Sequence, residues 1–396
     1  MKQGWEIKRL EDCFKLKSGD GLTSKNMSED GMFPVFGGNG IAGLHNDFNL
    51  SGSNVIIGRV GALCGNVRHM NEKIWLTDNA FKIVDFKYDF DHSFLNYLLN
   101  FKNLREYARQ AAQPVISNSS LKDVILEFPK SLPEQQRIVA ILDEAFAAIA
   151  KAKANAEQNL KNAKELFESY LQGIFENKGE GWESKELMEV CEQITDGSHF
   201  SPKSSGEDEY PYITVRDIDE DIIDFDNCKF ICNQDYQALL KNGCKPNYGD
   251  LLFSKDGTVG KVSLVDFEKD FVVLSSLAII RPKAKIITSS LLKYILKNPQ
   301  FLETAIGMKT GVAIRRIILK NLKLIEISFP KSLKEQQTIV QKLDALSAET
   351  KKLEAIYQQK INDLEELKKS VLQKGFRGEL NVGATLAVAQ NDNDNR

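Results

Sequence analysis

The chain has 396 residues, more than one hydrophobic core normally serves, so two or more folded units are expected. Its 52 Lys and Arg against 55 Asp and Glu leave a net charge of −3, which excludes a wholly basic nucleic-acid coat but leaves room for a local basic stripe. With 42% hydrophobic and 27% charged residues it reads neither as a disordered chain nor as a membrane-embedded one.

At the start, Met1-Lys2-Gln3-Gly4-Trp5-Glu6 carries charges where a secretory signal needs an apolar core, so a cytoplasmic protein is expected. Residues 1–130 mix glycine-rich turns, such as Pro34-Val35-Phe36-Gly37-Gly38-Asn39-Gly40, with short apolar runs, such as Asn54-Val55-Ile56-Ile57-Gly58. That mixture predicts a small α+β domain. Residues 131–177 predict one long helix. Ser131 and Glu134 have the S-x-x-E spacing of a capping box. Apolar or small residues then recur at Ile138, Leu142, Ala145, Ile149, Ala152, Ala156, Leu160, Ala163, Phe167, Tyr170 and Ile174, a heptad seam with one stutter.

Residues 178–331 predict a second α+β domain. It opens on Gly181-Trp182-Glu183, an echo of Gly4-Trp5-Glu6, and Asp250-Leu251-Leu252-Phe253-Ser254 followed by Lys255-Asp256-Gly257 parallels Asn54–Gly58 followed by Arg59-Val60-Gly61. The apolar stretch Phe271–Ile280 is interrupted by Ser275 and Ser276, and is about half the ~20 residues of a membrane helix. Residues 332–377 predict a second long helix, capped by Ser332 and Glu335, with its seam at Ile339, Leu343, Leu346, Thr350, Leu353, Tyr357, Ile361, Leu364 and Val371. Residues 378–396 are expected to form a flexible tail.

The repeat between the helices is the strongest internal signal. Phe128-Pro129-Lys130-Ser131-Leu132, Glu134-Gln135-Gln136, Ile138-Val139 and Leu142-Asp143 return without insertion as Phe329-Pro330-Lys331-Ser332-Leu333, Glu335-Gln336-Gln337, Ile339-Val340 and Leu343-Asp344. Some forty residues at ~1.5 Å each make a rod of ~60 Å, longer than a small domain, so the two helices are expected to pair antiparallel. The pairing residues are Ile138, Leu142, Ile149, Leu160, Ile339, Leu343, Leu353, Ile361 and Leu364. A centred pair would set Leu353 and Tyr357 opposite Ala148–Ala156, with the two domains at opposite ends of the coiled coil and an approximate two-fold axis between them.

Two variable domains, each followed by F-P-x-x-L-x-E-Q-Q-x-I-V and a long helix, resemble the specificity subunits of Type I restriction-modification systems, and the Pro34–Gly40 loop is similar to one common in their target-recognition domains. The resemblance implies a non-catalytic DNA reader. Each domain would contact one half of a bipartite double-stranded DNA target, and the paired helices would set the unspecified spacer. It further implies two modification subunits, which bind S-adenosylmethionine and methylate adenine, and restriction subunits, two at most, that use ATP and Mg²⁺. Those cofactors would belong to the partners.

Enzyme motifs are weak by comparison. Phe36-Gly37-Gly38-Asn39-Gly40 fits the F-x-G-x-G of a methyltransferase loop, but the chain contains no Pro-Pro, and Asn298-Pro299-Gln300 does not replace the catalytic motif. Val259-Gly260-Lys261-Val262 lacks the earlier glycine and following Ser or Thr of a phosphate loop. None of His45, His69, His92 and His199 accompanies a nucleophile elbow, and Asp217, Asp219, Glu220, Asp221 and Asp224 read as a solvated acidic loop. The six cysteines (13, 64, 191, 228, 232, 244) have no CxxC pair and read as reduced, buried thiols, and Cys228, Cys232 and His199 are too loosely spaced for zinc. No catalytic residue and no metal are therefore expected.

Candidate DNA contacts are polar residues beside glycines, where backbone can approach the duplex: Lys25, Asn39, Arg59, Asn66, Arg68 and Asn79 in the first domain, and Ser198, His199, Lys203, Arg216, Lys255, Lys261, Lys309, Arg315 and Arg316 in the second. Arginine reads guanine bidentately, asparagine reads adenine, and lysine meets phosphate. A coiled-coil scaffold spacing two protein-binding domains, and a stand-alone adenine methyltransferase, are the alternatives.

Overall fold

The computed structural model describes residues 4–109, 113–202, 209–219, 221–308, 317–377 and 379. Within them the chain divides into two compact units, one drawn from Met1–Glu157 and Gln358–Arg396, the other from Gln158–Tyr357.

The first unit contains β1 (Trp5–Arg9), α1 (Leu10–Cys13), β2 (Lys15–Ser18), β3 (Phe33–Gly37), β4 (Gly40–His45), β5 (Asn54–Gly58), β6 (Val67–Met70), β7 (Trp75–Leu76), β8 (Ala80–Val84), α2 (His92–Phe101), α3 (Asn118–Leu121), β9 (Ile125–Pro129) and the first part of α4 (Leu132–Glu176). Strand β5, apolar along its length, is interior to a four-stranded antiparallel sheet of order β2-β8-β5-β6. A three-stranded sheet, β4-β3-β7, has β3 antiparallel to β4 and parallel to β7. Asp91 caps α2 by accepting the Phe94 amide at 2.9 Å, and the buried face of α2, Phe94, Leu95, Leu98 and Leu99, fills the core with Phe14, Ile57 and Phe128.

The second unit contains β10 (Trp182–Glu186), α5 (Leu187–Val190), β11 (Cys191–Asp196), β12 (Tyr210–Ile213), β13 (Ile218–Asp219), β14 (Ile222–Ile223), β15 (Lys229–Ile231), α6 (Asn233–Lys241), β16 (Leu251–Ser254), β17 (Val262–Leu264), β18 (Val272–Val273), β19 (Leu277–Pro282), α7 (Ser289–Lys297), α8 (Pro299–Gly307), α9 (Leu319–Lys323), β20 (Glu326–Pro330) and the first part of α10 (Leu333–Arg377). Its four-stranded sheet, β11-β19-β16-β17, and its three-stranded sheet, β15-β12-β18, repeat the first unit's plan strand for strand in the same chain order. The β13-β14 ribbon and α6 are additions to that plan among the described residues. This is the α+β class expected from the sequence.

The repeated sequence signatures meet in space. Strand β1 pairs with β9 so that Trp5 faces Pro129 and Glu6 faces Phe128, and β10 pairs with β20 so that Trp182 faces Pro330 and Glu183 faces Phe329. Each Gly-Trp-Glu opening is thus zipped to the Phe-Pro that leads into the long helix. A buried amide locks the joint. Gln135 Nε2 donates to the Pro129 and Asp89 carbonyls (2.9 and 3.1 Å) and Oε1 accepts the Asp91 amide (2.8 Å). Gln336 does the same with Pro330, Ile286 and Thr288 (2.8, 2.8 and 2.9 Å).

Two expectations about the helices are corrected. The capping boxes are not reciprocal: Ser332 Oγ accepts the Glu335 amide at 3.4 Å, but the Glu335 carboxylate takes Trp182 Nε1 at 3.1 Å, and Glu134 takes Arg137 at 2.8 and 2.9 Å. The pairing register also differs. Within the first unit α4 and α10 run antiparallel with Lys153 against Glu365 (2.6 Å), and within the second with Lys164 against Glu354 (4.0 Å). Residues of the Ala148–Ala156 stretch therefore face the neighbourhood of Glu365 rather than Leu353. Leu353 is 38% exposed and Glu354 turns inward beside it at the stutter, while Thr350 and Tyr357 lie inward as expected. Ile138, Leu142, Ile149, Leu343, Ile361 and Leu364 are buried, and Leu160 and Ile339 are half-buried. No described helix is long and apolar enough to cross a membrane.

Candidate nucleic-acid interface

In the first unit the glycine loop between β3 and β4 lies directly on the end of β5. A Cβ at Gly38 would stand 2.0 Å from the Val60 carbonyl, and one at Gly58 would stand 2.5 Å from the Gly38 carbonyl, so two backbones touch where only glycine fits. Asn39, exposed at the loop tip, accepts the Leu63 amide at 2.9 Å. Arg68 reaches back beside Gly40 and lies 5.8 Å over the Phe36 ring. Arg59 Nη1 donates to Ser18 Oγ and to the Asp78 carbonyl, both at 3.1 Å, with its guanidinium 4.8 Å over Phe81. Its amide donates to the carbonyl of exposed Asn79 at 3.1 Å. Asn66 closes the β5–β6 turn through its backbone. Five of the six predicted residues thus gather round one glycine-built knot, while Lys25 stands exposed on a separate turn, Ser24–Asn26.

In the second unit the organising group is Asp196, at the end of β11. Lys255 Nζ lies 3.1 Å from Asp196 Oδ1 and 3.8 Å from Asp256 Oδ2, and His199 Nε2 lies 3.4 Å from Asp196 Oδ2. Lys255 is only 3% exposed, its ammonium turned onto these carboxylates and away from solvent. Lys261 is also committed internally, donating to the carbonyls of Val215 (3.4 Å) and Ile218. Ser198 is buried as a turn former, its Oγ donating to the Phe200 carbonyl at 2.6 Å and accepting the Phe200 amide at 3.0 Å. That turn presents His199 and Phe200, the latter 62% exposed, to solvent. Arg216 is exposed on the Val215–Asp217 turn. Lys203, Lys309, Arg315 and Arg316 lie outside the described residues.

Sequence reasoning missed Asp196 and Phe200, although Asp196-Gly197-Ser198-His199 directly after a strand is a polar, glycine-bounded turn of the kind it sought elsewhere. The remaining polar clusters resolve into structure. Asp217 bonds Thr214, Asp221 pairs with Lys297 at 2.7 Å, Asp224 holds Asn227, and Asn298 caps α8 through the Gln300 amide at 2.8 Å. Among the described residues no group of His, Cys, Asp or Glu is placed to hold a metal ion. A groove of about 650 Å³ in the second unit, lined by Leu166, Tyr170, Ile174, Trp182 and Ile339, includes none of the candidate contacts.

One α+β module, built twice with a polar, glycine-bounded cluster at the same strand ends, defines a tandem-repeat protein. The Type I restriction modification DNA specificity domain matches residues 2–161 and again 179–366, and the chain belongs to that family. The chain is 30% identical to the EcoprrI specificity subunit of Escherichia coli over 40% of its length, and 23% identical to the EcoBI subunit of the same species over 67%. These matches span 42% and 60% of the two relatives. The EcoDI subunit, also from Escherichia coli, is 24% identical across 95% of this chain and 88% of its own. In fold the chain is similar to a protein solved in a study of complex assembly and conformational transition of the type I R-M system (TM-score 0.74, 18% identity, 96% and 99% of the two chains). It is also similar to the HsdS subunit of Thermoanaerobacter tengcongensis (TM-score 0.55, 19% identity, 96% and 98%).

Proposed function

We propose that the chain is the non-catalytic, DNA-reading specificity subunit of a cytoplasmic Type I restriction-modification assembly. Residues 1–130 read one half of a bipartite duplex target and residues 178–331 read the other, while the helical segments 131–177 and 332–377 set the spacer between them. The observation that carries this reading is the recurrence of one seven-strand plan whose two polar clusters occupy matching strand ends yet differ in side chains. A shared scaffold with divergent contact groups is what two half-sites of different sequence require. Exposed or half-exposed Asn39, Arg68, Asn79 and Lys25 serve the first half-site, and His199 and Arg216 the second, joined by Lys203, Lys309, Arg315 and Arg316.

The partners in this reading are double-stranded DNA, two modification subunits that bring S-adenosylmethionine, and up to two restriction subunits that bring ATP and Mg²⁺. The test is to co-express the chain with the modification subunit of its own system and sequence host DNA for methylated adenine. The expected result is a two-part motif with a fixed gap that disappears without the chain and changes on one side only when residues 1–127 are exchanged. A motif independent of the chain, or one altered on both sides by the exchange, overturns the proposal.

A further inference from the structure

Arg59 and Lys255 look unrelated in sequence, yet the fold gives them one address. Each directly follows one of the two interior strands of its four-stranded sheet, β5 or β16. The amide of Arg59 donates to Asn79 at 3.1 Å and that of Lys255 to Ser276 at 3.0 Å. The Arg59 carbonyl accepts the Ile116 amide at 2.8 Å, and the Lys255 carbonyl accepts the Ile317 amide at 3.0 Å. Both side chains then reach past the intervening strand, β8 or β19, to the last residue of the edge strand beyond it, Ser18 of β2 at 3.1 Å or Asp196 of β11 at 3.1 Å.

The turns that leave Ser18 and Asp196 are equivalent as well. The Gly19 and Gly197 amides donate to Ala80 and Leu277 (3.2 and 3.1 Å), and the Asp20 and Ser198 amides donate to Leu76 and Val273 (2.9 and 2.7 Å). A Cβ on Gly19 would stand 2.1 Å from the Leu76 carbonyl, and one on Gly197 would stand 2.3 Å from the Val273 carbonyl. Each residue therefore ties three segments together: its backbone joins the end of its interior strand to the chain returning at Ile116 or Ile317, and its cationic side chain reaches the edge strand where the turn leaves it. In the second unit that turn carries exposed His199 and Phe200.

We propose that Arg59 and Lys255 are equivalent positioning residues for target recognition, holding the recognition turns in place from within each domain without touching DNA. The inference rests on the DNA-reading proposal above and deepens it. At Lys255 the lysine is almost closed to solvent, so removing it leaves the half-buried Asp196 and Asp256 carboxylates without this cation. Removing the charge of Asp196 as well relieves most of that.

The test compares wild type, Lys255→Met, Lys255→Arg and the double variant Lys255→Met/Asp196→Asn, each in the assembled methylating complex, by methylated-motif sequencing and by duplex binding across a salt series. Lys255→Met is expected to lose about tenfold or more in binding, with degeneracy confined to one half of the motif. Lys255→Arg should retain the motif. The double variant should recover binding to within about threefold, with the salt slope of wild type and a restored melting temperature. If Lys255 instead met a phosphate, the double variant would stay weak and its slope would fall by about 0.9, which overturns the proposal. Failure of the double variant to bind although it melts like wild type overturns it too. Absence of any chain-dependent motif with wild type refutes the DNA reading itself, a result separate from either of these.

Discussion

Gln135 and Gln336 each bury an amide completely and spend it on three backbone groups that strand pairing leaves free. Their replacement by alanine would orphan those groups, so Gln135→Ala and Gln336→Ala should each cost about 2–4 kcal/mol, read as a lower urea midpoint. Thiol chemistry offers a second check. Burial pushes Cys13 and Cys191 up to about 12 and raises Cys64, Cys228 and Cys244 as well, whereas Cys232 is half-buried. Brief iodoacetamide treatment of the native protein at pH 8 should label Cys232 first, as peptide mass spectrometry would show. Tyr97 and Tyr294 give the pH dependence. Each donates to a helix aspartate, Asp143 or Asp344, at 2.5 Å, and burial, then that bond, raises both phenols above their ordinary value. Their contribution to stability is fully present below the unfolded phenol value near 10 and is lost as pH rises above it. A Tyr97→Phe/Tyr294→Phe protein should therefore lose stability less steeply than wild type above pH 10 in denaturant titrations. At this scale the sequence revealed which residues recur, but not why. Nothing in the Glu-Gln-Gln pattern tells that its first glutamine also faces a helix-leading loop, since that loop lies 44 to 50 residues away in the chain.

At the scale of elements, both long helices were legible because a 3.5-residue apolar period over forty residues has few other solutions. Their register was not. Of the expected seam Thr350 is buried and Tyr357 half-buried, but Leu353 is exposed and Glu354 turns inward beside it, in a register that sets Lys164 against Glu354 and Lys153 against Glu365. Ala156 is 2% exposed on the inner face of α4, so Ala156→Leu should overpack that face and cost about 1–3 kcal/mol by thermal or chemical unfolding. Leu166→Ala, at a position 51% exposed, should be close to neutral in the same experiment. The small sheets were visible as α+β composition only. Two- to six-residue strands carry little periodicity, and parallel pairs such as β3 with β7 join segments that no local pattern links.

For the whole molecule, the proposed function makes the helices a spacer and the domains independent readers. Inserting seven residues into both helices at matching points should change the gap in the methylated motif while leaving both sets of bases unchanged, which motif sequencing would detect. The amino-acid sequence by itself determined the internal repeat, the α+β class, the long helices and the family, because each of these is written in residues near one another or in copies of the same string. The tertiary structure alone decided which polar residues are free to meet a ligand. Lys255 and His199 are both candidates beside glycines, yet one is turned inward against Asp196 and Asp256 and the other stands in solvent. A charged side chain left to itself stays in water. Desolvation is tolerated only where a distant part of the chain supplies the opposite charge, and that is settled by folding.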